Sequence, residues 1–425
     1  MVGIKESRLS MLSVSDALDL ILRQVHAGSS ETISLSEGLT RILADGLFVP
    51  EDSPPFDKSL MDGFAVHIDE SGSANAGGPS TVELKIAETI TAGNLPTAAV
   101  RTGLASRIMT GAPLPDGCNC IVPIEQTQFI ETHPHTVTIP RTALVSEAHL
   151  MRRGTAAKAG TTLLRRGTRL QPQQIAALAE FGFAQINVQK PPSVAVLATG
   201  DELVAVDQPA TFGRIRNSNE PMLIAQIAAS DARPVSLGIA RDEESQLRER
   251  IQRGLQHDFL LLTGGVSAGL LDLVPQQLRA AGVTQVFHGV HMKPGKPLWF
   301  GVLEEAGRRC LVFGLPGNPV SSLACFELFV RPALQKFCGS AVPTTQPKAL
   351  LTEPISVRGN RPVYQPVAIS IVGNQLAAQP VPWSGSSDLK ATVDANGMAL
   401  LMPDNGRYAV GDLVDVWLWG DRRLV

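Results

Sequence analysis

Cysteine is scarce in this chain: there are five among 425 residues, an odd number at scattered spacings. That excludes a disulfide framework and fits a reducing compartment. Long apolar runs are missing too, and none reaches the ~18 residues a membrane-spanning helix needs. The polar residues Lys5, Glu6 and Ser7 begin no signal-peptide core, so a cytoplasmic protein with no membrane partner is expected. Neither sign of charge dominates. A net charge of −3 argues against a bulk nucleic-acid binder, so any anion site must be built locally. Aromatic residues make up only 5%, whereas 38 glycines and 30 prolines suit many short strands and turns beside helices. With 44% hydrophobic and 18% charged residues the chain is globular, and its length implies about two to four domains.

Hydrophobic spacing divides the chain. Ala17, Leu18, Ile21, Leu22 and Val25 recur at helical intervals and predict an amphipathic helix over 13–28, capped by Ser13 or Ser15; a short helix is expected over 36–44. Residues 47–147 read as a β-rich insert, with β-prone runs at 81–86, 121–124 and 136–139. Helical signals return over 149–190, best at 173–181, and this segment is expected to pack with the first helices. Residues 192–338 alternate strand and helix: strands at 194–198, 235–239, 259–262, 284–290, 298–302 and 310–313, and helices at 220–229, 243–255, 272–281 and 319–337. Asp242 is expected to cap the second of these helices. That rhythm predicts a parallel sheet covered on both faces, which binds ligands beyond the carboxyl ends of its strands. A Pro/Thr/Gln linker at 339–347 leads to a small β domain.

Several loops at those strand ends suit anions or cations. Thr199-Gly200-Asp201-Glu202-Leu203 offers two carboxylates that could hold a metal or a ribose, or simply form a helix-entry turn. Gly264, Gly265 and Ser267 make a loop whose backbone N–H groups can cradle an anion. Asp272 follows as a ligand for a hard cation or as a helix cap. In Lys293-Pro294-Gly295-Lys296-Pro297, the prolines restrict the backbone so that two ammonium groups can face one polyanion. Pro316-Gly317-Asn318-Pro319-Val320-Ser321-Ser322 opens the last helix, with Asn318 as cap, Pro319 as first helical residue, and an anion site at the first turn. Asp62 before Gly63 marks a tight turn. Cys118 and Cys120 read as buried packing, His288 and His291 as strand-end packing or phosphate contacts, and Glu125 as a lip acid or a hairpin surface residue.

Six segments, PPFDKSLMDGFAV, RIMTGAPLP, TGDEL, LLLTGGVSAGLLD, MKPGKPLWFG and LPGNPVSS, stand in the order and spacing of one family. Over roughly residues 12–420 the chain resembles the molybdopterin molybdenumtransferases (molybdenum insertases), the type that also forms the E domain of gephyrin. The resemblance implies a multidomain α/β plus β fold. Its parts would be a helical hinge domain (1–46 with 148–190), a β-rich insert (47–147), a molybdopterin-binding-type parallel α/β domain (191–338) and a C-terminal β-barrel-like domain (345–425). It implies a homodimer in which Asp62 and Thr110 approach the active site from the partner chain. The implied reaction inserts molybdate into adenylylated molybdopterin with release of AMP, assisted by Mg²⁺. Lys293 and Lys296 would neutralise the oxyanion, and Asp272 with Glu202 would hold the metal. Asp242 would combine a cap with a catalytic role. Thr199, Gly200, Asp201, Ser218, Gly264, Gly265, Ser267, Pro316, Gly317, Asn318 and Ser321 would bind the pterin phosphate and AMP. The adenylyltransferase that precedes it in the pathway is a candidate partner.

The chain departs from the family pattern in places. Thr155 and Ala156 stand where two acids are usual, and Ala156 replaces a carboxylate associated with the active site. Leu270 replaces an acid after the glycine loop, and Arg216-Asn217-Ser218-Asn219 carries Asn where Asp is common. A C-terminal arginine reads as replaced near Tyr364-Gln365-Pro366, and a Ser-Ser pair reads as Lys390-Ala391. One carboxylate lost beside a cation shifts binding by about 1–4 kcal/mol, depending on the local dielectric. Two alternatives to an ordinary insertase stay open: a catalytically weakened paralogue that binds pterin or acts as a scaffold, and an insertase for another oxyanion such as tungstate.

Overall fold

The computed structural model describes residues 11–69, 79–266, 273–305 and 307–419. The chain forms two compact units: one comprises Met1–Asp45, Arg166–Ile175 and Gln185–Val425, the other Gly46–Arg165 and Ala176–Ala184.

The centre of the first unit is a six-stranded sheet. Its order is Arg233–Ala240, Ser193–Thr199, Phe259–Thr263, Arg308–Leu315, Trp299–Glu305, Thr284–His288. The first four strands run parallel, as expected. The last two are antiparallel, so the sheet is mixed. The physical reason is a tight connection: Trp299–Glu305 and Arg308–Leu315 are joined by two residues, far too few for the crossover a parallel pair requires. Alternate side chains feed two cores. Val194, Val196, Phe259 and Leu261 pack with the helix Asn219–Ala228 and the last helix, while Ala195, Leu197, Leu260 and Leu262 pack with the helices Glu244–Gly254 and Leu273–Ala280. Both faces are buried, which is why these strands read as unbroken apolar runs.

Sequence periodicity overreached at several helix ends. The first helix is Val14–Gln24, capped by the Ser13 hydroxyl, and stops short of residue 28. Val25 is already extended, and the Lys336 ammonium takes the Leu22 carbonyl (2.6 Å). No α-helix forms over 36–44. A 3₁₀ turn, Leu35–Glu37, ends at Gly38, Thr40 takes a positive φ of 66°, and Ile42 and Leu43 bridge to Arg169 and Val188. Over 149–190 only Pro172–Glu180 is α-helical; Gln185–Gln189 is a strand, antiparallel to Ser30–Ser34. Strand pairing, not helix packing, thus joins the early and later segments. The cap position of Glu244–Gly254 falls on Glu243 rather than Asp242. The helix expected over 319–337 is continuous but contains a π turn at Phe326–Val330.

Residues 348–418 close into a barrel of five strands, Lys348–Leu351, Gln375–Pro380, Val363–Val372, Gly397–Leu401 and Leu413–Leu418. In the second unit, a five-stranded sheet has the order Cys120–Pro123, Gly63–Val66, Leu104–Ile108, Thr81–Ile90, Thr136–Pro140. Cys118 and Cys120 are buried free thiols against this sheet, and burial pushes the Cys118 thiol up to about 11, as packing residues should behave. Glu125 lies exposed in a 3₁₀ turn.

Candidate functional site

At the carboxyl ends of the parallel strands lies a crevice of about 650 Å³. Of the residues singled out in the sequence, Thr199, Glu202, Ser218, Gly264, Gly265, Pro316, Gly317 and Asn318 line it together. Gly200, Asp201 and Asp242 are not among its lining residues. Asp201 works beside it: its Oδ1 accepts the Asp242 N–H (3.3 Å), and Arg241 Nη1 donates to the carbonyls of Asp201 (2.8 Å) and Leu203 (3.0 Å). Those bonds hold the 200–203 loop that presents Glu202. Gly264, with φ of +94°, is required by its surroundings, since a Cβ there would sit 2.4 Å from the Thr199 carbonyl oxygen. Ser267, Leu270 and Asp272 lie outside the described residues.

A smaller cavity of about 210 Å³ adjoins the crevice and shares Pro297, Pro316 and Asn318 with it. Lys293, Lys296 and Ser321 line it, together with Arg361 and Ser386 from the barrel segment. The loop is built as an arch. Pro294 and Gly295 turn inward and are buried, whereas both lysines are exposed. Gly295 packs against Cys325 Sγ and Met292, where a Cβ would meet the sulfur at 2.8 Å. Backbone bonds dock the arch on the barrel: Lys293 N–H donates to the Pro362 carbonyl and Tyr364 N–H to the Lys293 carbonyl, both at 2.8 Å. Arg361 is steadied by the Met292 carbonyl (3.0 Å). Three cationic side chains and two serine hydroxyls line one small volume, a chemistry suited to an anion.

Arg361 and Ser386 were missed in the sequence. Tyr364 and Gln365, where an arginine was sought, are buried in a barrel strand, and the arginine that reaches the cavity stands three residues before Tyr364. Likewise the serine pair at the site is Ser386-Ser387, not the Lys390-Ala391 position. Ser386 Oγ accepts from Asn318 Nδ2 (2.9 Å), and Ser387 Oγ donates to Asn318 Oδ1 (3.1 Å). Asp388 folds this loop by accepting from the backbone and hydroxyl of Ser384, contacts that hold its carboxyl below the usual carboxylate range. The expected anion cradle at the last helix is therefore partly filled from within. Val320 N–H donates to the Ser386 carbonyl (3.1 Å) and Ser322 N–H to the Asn318 carbonyl (3.1 Å). The imidazoles of His288 and His291 contact the carbonyls of Val266 and Asn360, each at 2.9 Å, and neither lines the crevice or the lysine cavity.

In the second unit, Asp62 and Thr110 come together. The Asp62 carboxylate accepts from Thr110 N–H (2.7 Å) and Oγ1 (2.8 Å), which lowers its pKa. The arginine-rich segment is internally paired: Arg152 bonds Asp57 and Glu147, and Arg153 bonds Asp52. Ala156 is exposed beside them.

Magnesium is the resident ion that the resemblance implies. Among the described residues no cluster of three or more His, Cys, Asp or Glu could hold a metal. Mg²⁺ does not require one, because it keeps several waters and takes one or two carboxylates plus substrate phosphates. The crevice offers that kind of donor set in the Glu202 carboxylate and in Asn219 Oδ1, a buried oxygen without a partner among the described residues. Glu202 is the carboxylate of this crevice that such an ion would use.

A mixed α/β domain with a strand-end crevice, a cationic side cavity and a barrel that completes it defines an enzyme for phosphate-bearing or oxyanion substrates. Family profiles match in sequence: the MoeA N-terminal region (domain I and II) over residues 12–182, a probable molybdopterin binding domain over 195–336, and the MoeA C-terminal region (domain IV) over 348–419. The chain is 33% identical over 413 residues to the molybdopterin molybdenumtransferase of Staphylococcus aureus strain COL, covering 96% of this chain and 95% of that one. It is 32% identical over 409 residues to the enzyme of the same name from Bacillus subtilis strain 168, covering 96% and 94%. A crystal structure of a molybdopterin biosynthesis MoeA protein from Pyrococcus horikoshii superposes with a TM-score of 0.81 at 27% identity, covering 97% of this chain and all of that one. The chain belongs to the MoeA family of molybdopterin molybdenumtransferases.

Proposed function

We propose that this transferase of molybdenum cofactor biosynthesis inserts molybdate into adenylylated molybdopterin and releases AMP. The observation that carries the reading is the junction of two cavities. One is large enough for a nucleotide-linked pterin, and the other is ringed by Lys293, Lys296, Arg361 and Ser321. In this reading the lysines and Arg361 bind and orient the substrate oxyanion, and Ser321 donates to one of its oxygens. Thr199, Ser218, the Gly264-Gly265 turn and Asn318 hold the nucleotide–pterin, whose phosphoanhydride bond is cleaved by water to free AMP, while the two dithiolene sulfurs replace two oxygens of molybdate, which leave as water. Glu202 and Asn219, with Asp272, would hold magnesium, whose chemistry is to neutralise charge on the pyrophosphate. Asp242 acts through the 200–203 loop.

Four domains with the boundaries given by the resemblance, a homodimer and a cytoplasmic location belong to the same proposal. No helix among the described residues is long and apolar enough to cross a membrane. Purified protein with adenylylated molybdopterin, molybdate and Mg²⁺ should release AMP; release no greater than that of a Lys296→Ala control would sink the reading. The exposed Ala156 favours a second reading, a pterin-binding paralogue with slow turnover. On that view Ala156→Asp raises the rate of AMP release, and an unchanged rate removes it.

A further inference from the structure

The floor of the crevice is held by a buried pair outside the residues just assigned. Residues 202–204 and 215–217 run side by side: Ile215 N–H donates to the Glu202 carbonyl and Asn217 N–H to the Val204 carbonyl, both at 2.9 Å. Asn217 itself lines the crevice, and Ser218 and Asn219 follow it there directly. Asn217 is 4% exposed and Glu220 8%. Asn217 Oδ1 accepts the Glu220 N–H (3.3 Å), and Asn217 Nδ2 donates to Glu220 Oε2 (2.7 Å). A backbone N–H only donates, so the amide oxygen must face Glu220 N–H and the amide nitrogen is left to face the carboxylate. The other carboxylate oxygen, Oε1, accepts from the Ser236 hydroxyl and from Gly238 N–H (3.2 Å). Those two residues form a bulge, since the register against Ser193–Thr199 slips between Ser236 and Ile239.

We propose that Asn217 and Glu220 are positioning residues that set the affinity of the crevice for the nucleotide part of the substrate. This rests on the reading that the crevice takes the adenylylated pterin. The two side chains tie the Ser218-Asn219 entry to the bulged strand that leads to Asp242, and the Asn217 backbone N–H adds the Glu202 loop. The pair works only with a donor on one side and an acceptor on the other. An acid at 217 would keep the bond to Glu220 N–H but place a second carboxylate at the 2.7 Å contact, where both cannot ionise. An amide at 220 would set two donors face to face in either orientation, at Asn217 Nδ2 or, turned over, at Gly238 N–H. Exchanging both at once restores the pattern with its polarity reversed.

The test uses the full chain, calorimetric titration with AMP, steady-state kinetics and thermal melting. Asn217→Asp is expected to weaken AMP binding about tenfold and raise KM for adenylylated molybdopterin by a similar factor, with kcat within about twofold of the parent. Glu220→Gln is expected to do the same. N217D/E220Q should return affinity to within about twofold of the parent. If Asn217→Asp does not fold, Asn217→Ser removes the donor without adding charge and should weaken AMP about threefold. Single variants that melt earlier but bind AMP normally, or a folded double variant as weak as the singles, would overturn the inference. No AMP binding by the parent protein would overturn the crevice reading and this inference with it. Normal parent binding with an unaffected Asn217→Asp would overturn this inference alone.

Discussion

Asp62 is an exposed acid whose ionisation is favoured first by Thr110 and then by the charge of Arg107. The two bonds from Thr110 favour the charged form, so its folded pKa lies below that of the unfolded chain. A lowered pKa contributes stability that is fully present above the ordinary carboxylate range and fades as pH falls through the lowered value. Thr110→Val removes the hydroxyl bond and keeps the backbone one. The Asp62 titration, followed by NMR, should move up towards the ordinary carboxylate range without reaching it; an unmoved titration would show that the hydroxyl contributes nothing. The resemblance placed both residues at one site, but their direct contact was not legible in the sequence. The two residues are 48 positions apart and meet because Gly63–Val66 and Leu104–Ile108 are adjacent antiparallel strands. Arg361 escaped notice for a different reason. A single arginine in a turn carries no spacing signal, and only barrel closure brings it to the lysines.

Among the elements, the lysine arch depends most narrowly on one residue. Gly295 has a φ of +109° and no room for a Cβ. Gly295→Ala should destabilise the protein by about 1–3 kcal/mol, from backbone strain and the clash with Cys325. It should also raise KM for molybdate more than KM for the pterin substrate; equal increases would show a general loss of structure instead. Strands and helices of the central sheet could be read from sequence because both faces are buried, giving apolar runs broken sharply at Thr199-Gly200, Thr263-Gly264 and Leu315-Pro316. The segment 36–44 could not. Its Leu39, Ile42 and Leu43 mimic helical spacing, yet Ile42 and Leu43 are buried through β-bridges to distant residues. Local periodicity does not reveal partners more than 120 residues away. The antiparallel edge of the sheet was hidden in the same way, behind a two-residue connection that reads like any other turn.

For the whole molecule, the resemblance implies that Asp62 and the lysines of one site come from different chains. Mixing two inactive variants tests this directly. Asp62→Ala and Lys296→Ala homodimers, co-refolded or co-expressed, should regain activity, because some heterodimers hold one intact site. No recovery in mixed dimers of verified composition would place both residues of a site on the same chain.

The backbone bonds between Lys293 and the strand Val363–Val372 make the small barrel something other than a removable appendage. Linker residues 339–347 look like an inviting place to cut or to graft a barrel from a relative. Such a graft would replace Arg361, Ser386 and the strand on which the arch rests in one stroke. Oxyanion preference should therefore travel with the grafted segment, and shuffling at this linker would be a route to metal selectivity in this family.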